Sequence, residues 1–276
     1  MKKKLSLSNY VLHPPSQKPF MWAPKNEGEE QKKHFNILKL KPMSIKAGQQ
    51  NSLLNSKVFL GNFWGMIKYF DLKYTTDFAF LHVYFGINHN KEIVFIFAPA
   101  KSEERSSEIL YHYLSQDFDP KNPKNSELSK DDMLLWTAKF VKAMALDTID
   151  ITDPDNQFPD PNDPNKEASD TRYAIYYADD IGELMAVKDY YVSQGHNINN
   201  SLNGYLGSYL QNGAPRGEFK GRYKNRIVCQ FELLDGNNND FFLDSISEFM
   251  GIKTIGASNY RQVVDNGQLC PTNCPR

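Results

Sequence analysis

Hydrophobic and polar positions recur with recognisable periods along much of the chain, and these periods predict both strands and helices. The clearest signal is a pair of β-rich runs, Phe78–Ile87 and Glu92–Ala98, on either side of a short polar segment at residues 88–91. Two such runs around a polar turn are typical of a β-hairpin. We therefore expect an antiparallel hairpin as the basis of a sheet.

The strongest helix signal begins at Ser129. Its hydroxyl can cap a helix, and Asp132 follows three positions later, as in a capping box. The body of this helix, Met133–Leu146, is apolar on most of its faces. A helix that is hydrophobic all round is typical of a protein interior, so this segment is predicted to be the central buried helix.

Weaker periodic patterns predict the remaining elements. In residues 202–210 the apolar positions follow i, i+3, i+4, i+7 and i+8, which favours a helix. Gly195 is a favoured residue just beyond the end of a helix. The further helices are predicted at Leu53–Phe70, Ser107–Gln116, Asp179–Gln194, Leu202–Leu210 and Asp240–Met250, and the further strands at Phe35–Leu40, Arg172–Ala178 and Arg222–Leu234.

Together these elements predict an α+β fold, in which helices pack on an antiparallel, hairpin-based sheet. Residues 1–50 are rich in proline and lysine and are expected to form an extended arm. Residues 51–251 are expected to form the globular domain, and residues 252–276 an irregular tail. Two lobes joined near residues 147–170 are the alternative to one continuous domain.

Composition limits the classes of protein to consider. The 276 residues carry 32 basic and 33 acidic side chains, a net charge of −1, so nucleic acid is an improbable partner. No run of 18 or more apolar residues is present, and the segment after Met1 is too polar for a secretory signal. We expect a cytoplasmic protein, although delivery within a particle would leave no trace in the sequence.

The acidic connector is the first candidate site. It places Asp153, Asp155, Asp160 and Asp163 within one short segment. Calcium prefers six to eight hard oxygen ligands, and closely spaced carboxylates can supply them. The connector lacks the glycine and glutamate of an EF-hand loop. The hypothesis is a calcium-stabilised module, and the alternative is a solvated polar linker.

A basic segment is the second candidate site. In an extended chain Lys220, Arg222, Lys224 and Arg226 point to the same side, because side chains alternate with period two. Four cations on one face can bind phosphates or an acidic partner. The alternative is an edge strand that its charges keep from aggregating.

Two further patterns carry less information. Cys270 and Cys274 supply at most half of a zinc site, or form a strained disulfide with each other, or belong to a chemically inert tail. Tyr69 and Lys73 have a Tyr-x-x-x-Lys spacing, but this spacing indicates no function without a glycine-rich nucleotide loop.

The sequence contains no recognisable catalytic motif. It lacks a nucleophile elbow, a P-loop and a dinucleotide-binding glycine pattern. This lowers the expectation of an enzyme, and no catalytic residue or cofactor is predicted apart from possible calcium. Aromatic residues make up 13% of the chain. They are expected to fill a core rich in Phe and Tyr, or, where they are exposed, to form contact surfaces. The expected function is therefore a non-enzymatic interaction or structural subunit of an assembly, with a protein partner or a second copy. The alternatives are an enzyme or regulator that binds a phosphorylated ligand or nucleic acid through the basic segment, and the calcium-stabilised module.

Overall fold

The computed structural model describes residues 22–23, 25–40, 56–74, 78–101, 111–116, 118–144, 173–210, 226–241, 263–264 and 268–270. Within these residues the chain forms helices and two antiparallel sheets, which confirms the α+β class. The helices are α1 (Lys25–Phe35), α2 (Phe63–Tyr74), α3 (Lys130–Ala143) and α4 (Ala178–Ser193). None of these helices has the length and apolar character needed to cross a bilayer.

Eleven strands build the two sheets of the described residues. The strands are β1 (Trp22–Ala23), β2 (Lys57–Leu60), β3 (Phe80–Ile87), β4 (Ile93–Ala100), β5 (His112–Leu114), β6 (Glu127–Leu128), β7 (Tyr173–Tyr177), β8 (Ile198–Ser208), β9 (Ile227–Asp235), β10 (Val263–Val264) and β11 (Gln268–Cys270). One sheet has the order β1-β10-β9-β8-β2, and the other has the order β11-β7-β3-β4-β5-β6. We call them sheet A and sheet B.

The core lies between the two sheets. Phe231 on β9 of sheet A packs against Phe95 and Phe97 on β4 of sheet B, with ring centroids 6.3 and 6.4 Å apart. Gly204 on β8 allows the close approach, since a Cβ there would lie 2.5 Å from the Phe95 ring. Helix α2 adds Phe63, whose ring centroid is 5.7 Å from that of Phe231. Many of the described aromatic side chains therefore serve to fill the protein interior.

Helix α1 covers the outer face of sheet A. Gln31, Lys32 and Phe35 of this helix are buried, and Lys32 forms an ion pair with Glu232 on β9. The prediction of an extended arm is thus wrong for residues 25–40. The predicted strand Phe35–Leu40 is wrong as well, because Asn36–Leu40 forms one widened helical turn after α1.

The predicted hairpin is confirmed as β3 and β4, which pair in register from Phe80 with Ala100 to Ile87 with Ile93. Asn88 closes the turn, because its side-chain oxygen accepts a hydrogen bond from the backbone N–H of Glu92 at 2.9 Å. The predicted strand at residues 172–178 and the helix after it are confirmed as β7 and α4. Gly195 follows α4 with a φ of +90°, as expected for a residue beyond a helix end.

Two predicted helices are strands in the structure. The segment Leu202–Leu210 belongs largely to β8, and the described part of Ser107–Gln116 contains β5. The segment Leu53–Phe70 contains β2 as well as the start of α2. Only the first two residues of the predicted helix Asp240–Met250 lie within the described residues.

The predicted C-terminal tail contains two short strands. Strand β10 pairs with β1 and β9 in sheet A, and β11 pairs with β7 in sheet B. Cys270 lies on β11, whereas Cys274 is outside the described residues. The boundaries proposed for the arm, the domain and the tail stay predictions.

Candidate functional site

Helix α3 lies on the outer face of sheet B and is built as predicted at its start. Ser129 caps it, because its hydroxyl accepts a hydrogen bond from the backbone N–H of Asp132 at 3.1 Å. Gly86 on β3 lets the helix approach closely, since a Cβ there would lie 3.2 Å from Cβ of Trp136. Met133, Trp136 and Phe140 form the buried face of the helix.

The opposite face of α3 is open. Leu134 and Leu135 are 43% and 47% exposed, and Ala138 beside them is exposed too. The prediction of a central buried helix is therefore wrong, because α3 buries only one of its faces and leaves apolar residues exposed on the other. The helix has a second apolar face, and within the described part of the chain only the first is covered. Large exposed apolar patches mark interaction sites, and these three side chains form a small apolar surface of that kind.

A second group of side chains, which we call the lysine–tyrosine cluster, surrounds Lys73 at the end of α2. Its ammonium lies 5.1 to 5.2 Å from the ring centroids of Tyr69, Tyr74 and Tyr111. It also lies 3.5 Å from the hydroxyl of Tyr113. Such positions over aromatic rings are attractive for a cation. The spacing of Tyr69 and Lys73 was visible in the sequence, but the two tyrosines from residues 111–113 are brought in by the fold of sheet B.

Buried hydroxyl groups complete the lysine–tyrosine cluster. The hydroxyls of Tyr74 and Tyr113 lie 2.6 Å apart, and that of Tyr113 donates to Glu127 at 3.4 Å. Burial raises the pKa of Tyr74 and the pKa of Tyr113. Burial alone would lower the pKa of Lys73, but its interactions with the Tyr69 and Tyr74 hydroxyls outweigh this effect and raise it.

A third polar cluster lies between α1 and sheet A. The ammonium of Lys32 is 2.7 Å from Oε1 of Glu232 and 3.9 Å from the ring centroid of Tyr205. The hydroxyl of Tyr205 donates to Asp240 at 3.0 Å, and Asn203 donates to the same carboxylate at 2.6 Å. Burial, together with the nearby carboxylates of Glu232 and Asp240, raises the pKa of Tyr205.

His112 is the buried histidine whose pKa is displaced most clearly. It lies on β5, with its ring 5.5 Å from that of Tyr84, and its buried Nε2 meets no hydrogen-bond partner among the described residues. Burial, together with the charge of Lys130, lowers the pKa of His112 to about 4. The imidazole is therefore neutral at physiological pH.

The displaced pKa values share one trend. Within the described part of the chain, every pKa that is clearly displaced lies further from pH 7 than the ordinary value of that group. Hydrogen bonds from Asn122 and from the backbone of Lys121 lower the pKa of Asp119, and those from Asn239 lower the pKa of Asp235. A general acid or base works best with a pKa near the operating pH, so these groups are tuned for fixed charge states. The displaced groups are Lys73, Tyr74, His112, Tyr113, Asp119, Tyr205 and Asp235.

Most of the site residues predicted from the sequence lie outside the residues that the structure describes. Lys220, Arg222 and Lys224 are outside the described residues, and so is the whole acidic connector with Asp153, Asp155, Asp160 and Asp163. Arg226 is described and is only 3% exposed, and its backbone carbonyl accepts a hydrogen bond from the N–H of Tyr209. Both the anion site and the calcium site stay predictions.

Metal-binding side chains do not gather in the part of the chain that the structure describes, where no three His, Cys, Asp or Glu residues form a cluster suited to an ion. Comparison of the chain with protein-family models, with curated proteins and with solved structures finds no match. Any function proposed for the protein must therefore be argued from its own residues.

Proposed function

We propose that the protein is a non-enzymatic interaction subunit that binds a protein partner through the outward face of α3. The observation that carries this proposal is the open apolar surface formed by Leu134, Leu135 and Ala138. Burial of a whole leucine side chain contributes about 1.5–3 kcal/mol, so two half-exposed leucines offer a partner a few kcal/mol at most. That contribution is enough to anchor an interface whose rim is polar.

The charge states of the molecule support the same proposal. Proton transfer at neutral pH calls for groups that titrate near neutrality, whereas His112, Tyr113 and Tyr205 have pKa values displaced away from it. Groups held in one charge state favour fixed packing and recognition. The packing of α3 on the sheet through Met133, Trp136 and Phe140 also favours binding, because a well-packed surface loses little conformational entropy when a partner docks.

Site-specific photo-crosslinking tests this proposal. A benzoylphenylalanine at position 135 should give a discrete crosslinked product in the cells that make the protein, and mass spectrometry should assign it to a protein. The matched control places the same group at Leu72, which is 79% exposed on α2. If position 135 gives no more product than position 72, the outward face of α3 is not an interaction surface.

A charged substitution gives an independent readout. Leu135→Glu should abolish the crosslink from a probe at position 134, because a carboxylate in the contact would have to lose its water. The variant should keep its melting temperature within about 2 °C, since exposed substitutions change stability by roughly 0.5 kcal/mol or less. Retention of the crosslink in a folded variant would contradict the proposal.

A further inference from the structure

The outward face of α3 has an ordered pattern of charge and size. Asp131, Leu135, Ala138 and Lys142 are all exposed, and they follow one another at intervals of four, three and four residues. Residues at these intervals lie in one row along a helix. The row begins with an anion, continues with a large and then a small apolar side chain, and ends with a cation.

This row is complementary to the same row on a second copy of the helix that runs in the opposite direction. If a second copy of α3 lies antiparallel to the first, Asp131 faces Lys142 of the other copy, and Leu135 faces Ala138. Each of these contacts occurs twice, because a two-fold axis through the midpoint of the row relates the two helices. A leucine opposite an alanine also lets two helices approach closely, since the small side chain leaves room for the large one.

We propose that the protein forms a two-fold dimer through antiparallel contact of the α3 rows. The inference rests on the proposed function, and it names a second copy of this chain as the partner. Leu134 and Lys139 flank the row on opposite sides, so in the antiparallel pair Leu134 lies beside Leu134 of the other copy. The net charge of −1 leaves no overall repulsion between copies.

The small area of the contact limits the affinity of the dimer. Stable interfaces bury roughly 1,200–2,000 Å² in total, and one pair of short helices supplies only part of that area. We therefore expect a dissociation constant in the micromolar range. Sedimentation velocity over a concentration series that reaches about 1 mM protein would resolve such an equilibrium.

Charge reversal provides the decisive experiment. Asp131→Lys places lysine opposite lysine at both ends of the contact, and Lys142→Asp places aspartate opposite aspartate. Each single variant should raise the dissociation constant at least about tenfold, which corresponds to about 1.4 kcal/mol. The double variant D131K/K142D restores opposite charges and should return the constant to within about threefold of the wild type. Lys121→Asp, at an exposed lysine outside α3, is the control and should leave it unchanged.

The possible outcomes separate this inference from the proposed function. A wild-type chain that stays monomeric at about 1 mM overturns the dimer, and so does a dimer that neither single reversal weakens. If a probe at position 135 then crosslinks to a different protein, the interaction surface stands and only the self-pairing fails. Circular dichroism of each variant establishes that α3 is still folded, so a loss of association reports on the contact.

Discussion

The ammonium of Lys32 lies 2.7 Å from a carboxylate oxygen of Glu232, and this ion pair joins α1 to β9 across 200 residues of sequence. Both side chains are almost completely buried. Glu29, one turn earlier in α1, lies 3.0 Å from the same ammonium. A charge in such surroundings is stable only opposite its partner, so the pair fixes the position of α1 on sheet A.

Removal of the Lys32 charge should destabilise the fold. Lys32→Met keeps most of the side-chain volume but leaves the Glu232 carboxylate buried opposite a neutral thioether. We expect the free energy of unfolding, measured by urea denaturation, to fall by about 3 kcal/mol. The neighbouring Lys33 is exposed, so Lys33→Met should change it by less than about 0.5 kcal/mol.

The double variant tests the cause. In Lys32→Met/Glu232→Met neither charge remains to be buried, so the loss should be smaller than that of Lys32→Met alone. A double variant that is as unstable as the sum of the two single variants would show that shape, and not charge, holds α1 in place.

Acid should weaken the fold through His112. Its folded pKa of about 4 lies below the ordinary value of 6.5, so the folded state binds fewer protons than the unfolded state between these pH values. The contribution of the neutral His112 imidazole to the free energy of unfolding is fully present above pH 6.5 and is lost as the pH falls towards 4. The difference of about 2.5 pH units corresponds to at most about 3.4 kcal/mol.

His112→Phe should remove this part of the acid sensitivity while it keeps an aromatic ring beside Tyr84. The measurement is urea denaturation at several pH values from 7 to 4, with the variant compared to the wild type at each. The exposed His89 provides the control, and His89→Gln should keep the acid loss of the wild type. An unchanged pH profile in His112→Phe would contradict the assignment.

Gly204 should not tolerate a side chain. In Gly204→Ala the new Cβ would lie 2.5 Å from the Phe95 ring and 3.2 Å from Leu60, and both of these residues are fully buried. Overpacking of this kind typically lowers the free energy of unfolding by about 1–3 kcal/mol.

Gly195→Ala serves as a comparison for Gly204. A Cβ at Gly195 meets no atom within 4 Å, so only its φ of +90° opposes the substitution. That strain should cost about 1 kcal/mol. Differential scanning calorimetry of both variants should show the larger fall in melting temperature for Gly204→Ala, and equal falls would argue against tight packing between the sheets.

Local signals in the sequence were sufficient for some elements. The hairpin β3–β4 has a polar turn that its own Asn88 side chain closes, and α3 has a cap at Ser129, so both are determined by residues close together in the chain. Strand β8 could not be found in this way. Leu202 and Leu206 are four residues apart, which places them on one face of a helix and equally on one face of a strand.

Burial on both faces also concealed β8. Helix α1 covers one side of the strand and sheet B covers the other, so residues 201–209 are all buried and show no polar alternation. The lysine–tyrosine cluster was hidden for a similar reason. Tyr111 and Tyr113 reach Lys73 only because β5 pairs with β4. The order of residues in the sequence does not show that this pairing brings them close to Lys73.

Strand β1 pairs with β10, so residues 22–23 and 263–264 are neighbours in sheet A although about 240 residues separate them. A ribosome makes roughly 5–20 residues per second, and the chain must therefore wait many seconds before this edge of the sheet can close. Pairing over such a separation is slow to form and comes late in folding. Through most of synthesis β1 therefore has no partner strand, and we expect this interval to be when the nascent protein has the greatest need of a chaperone.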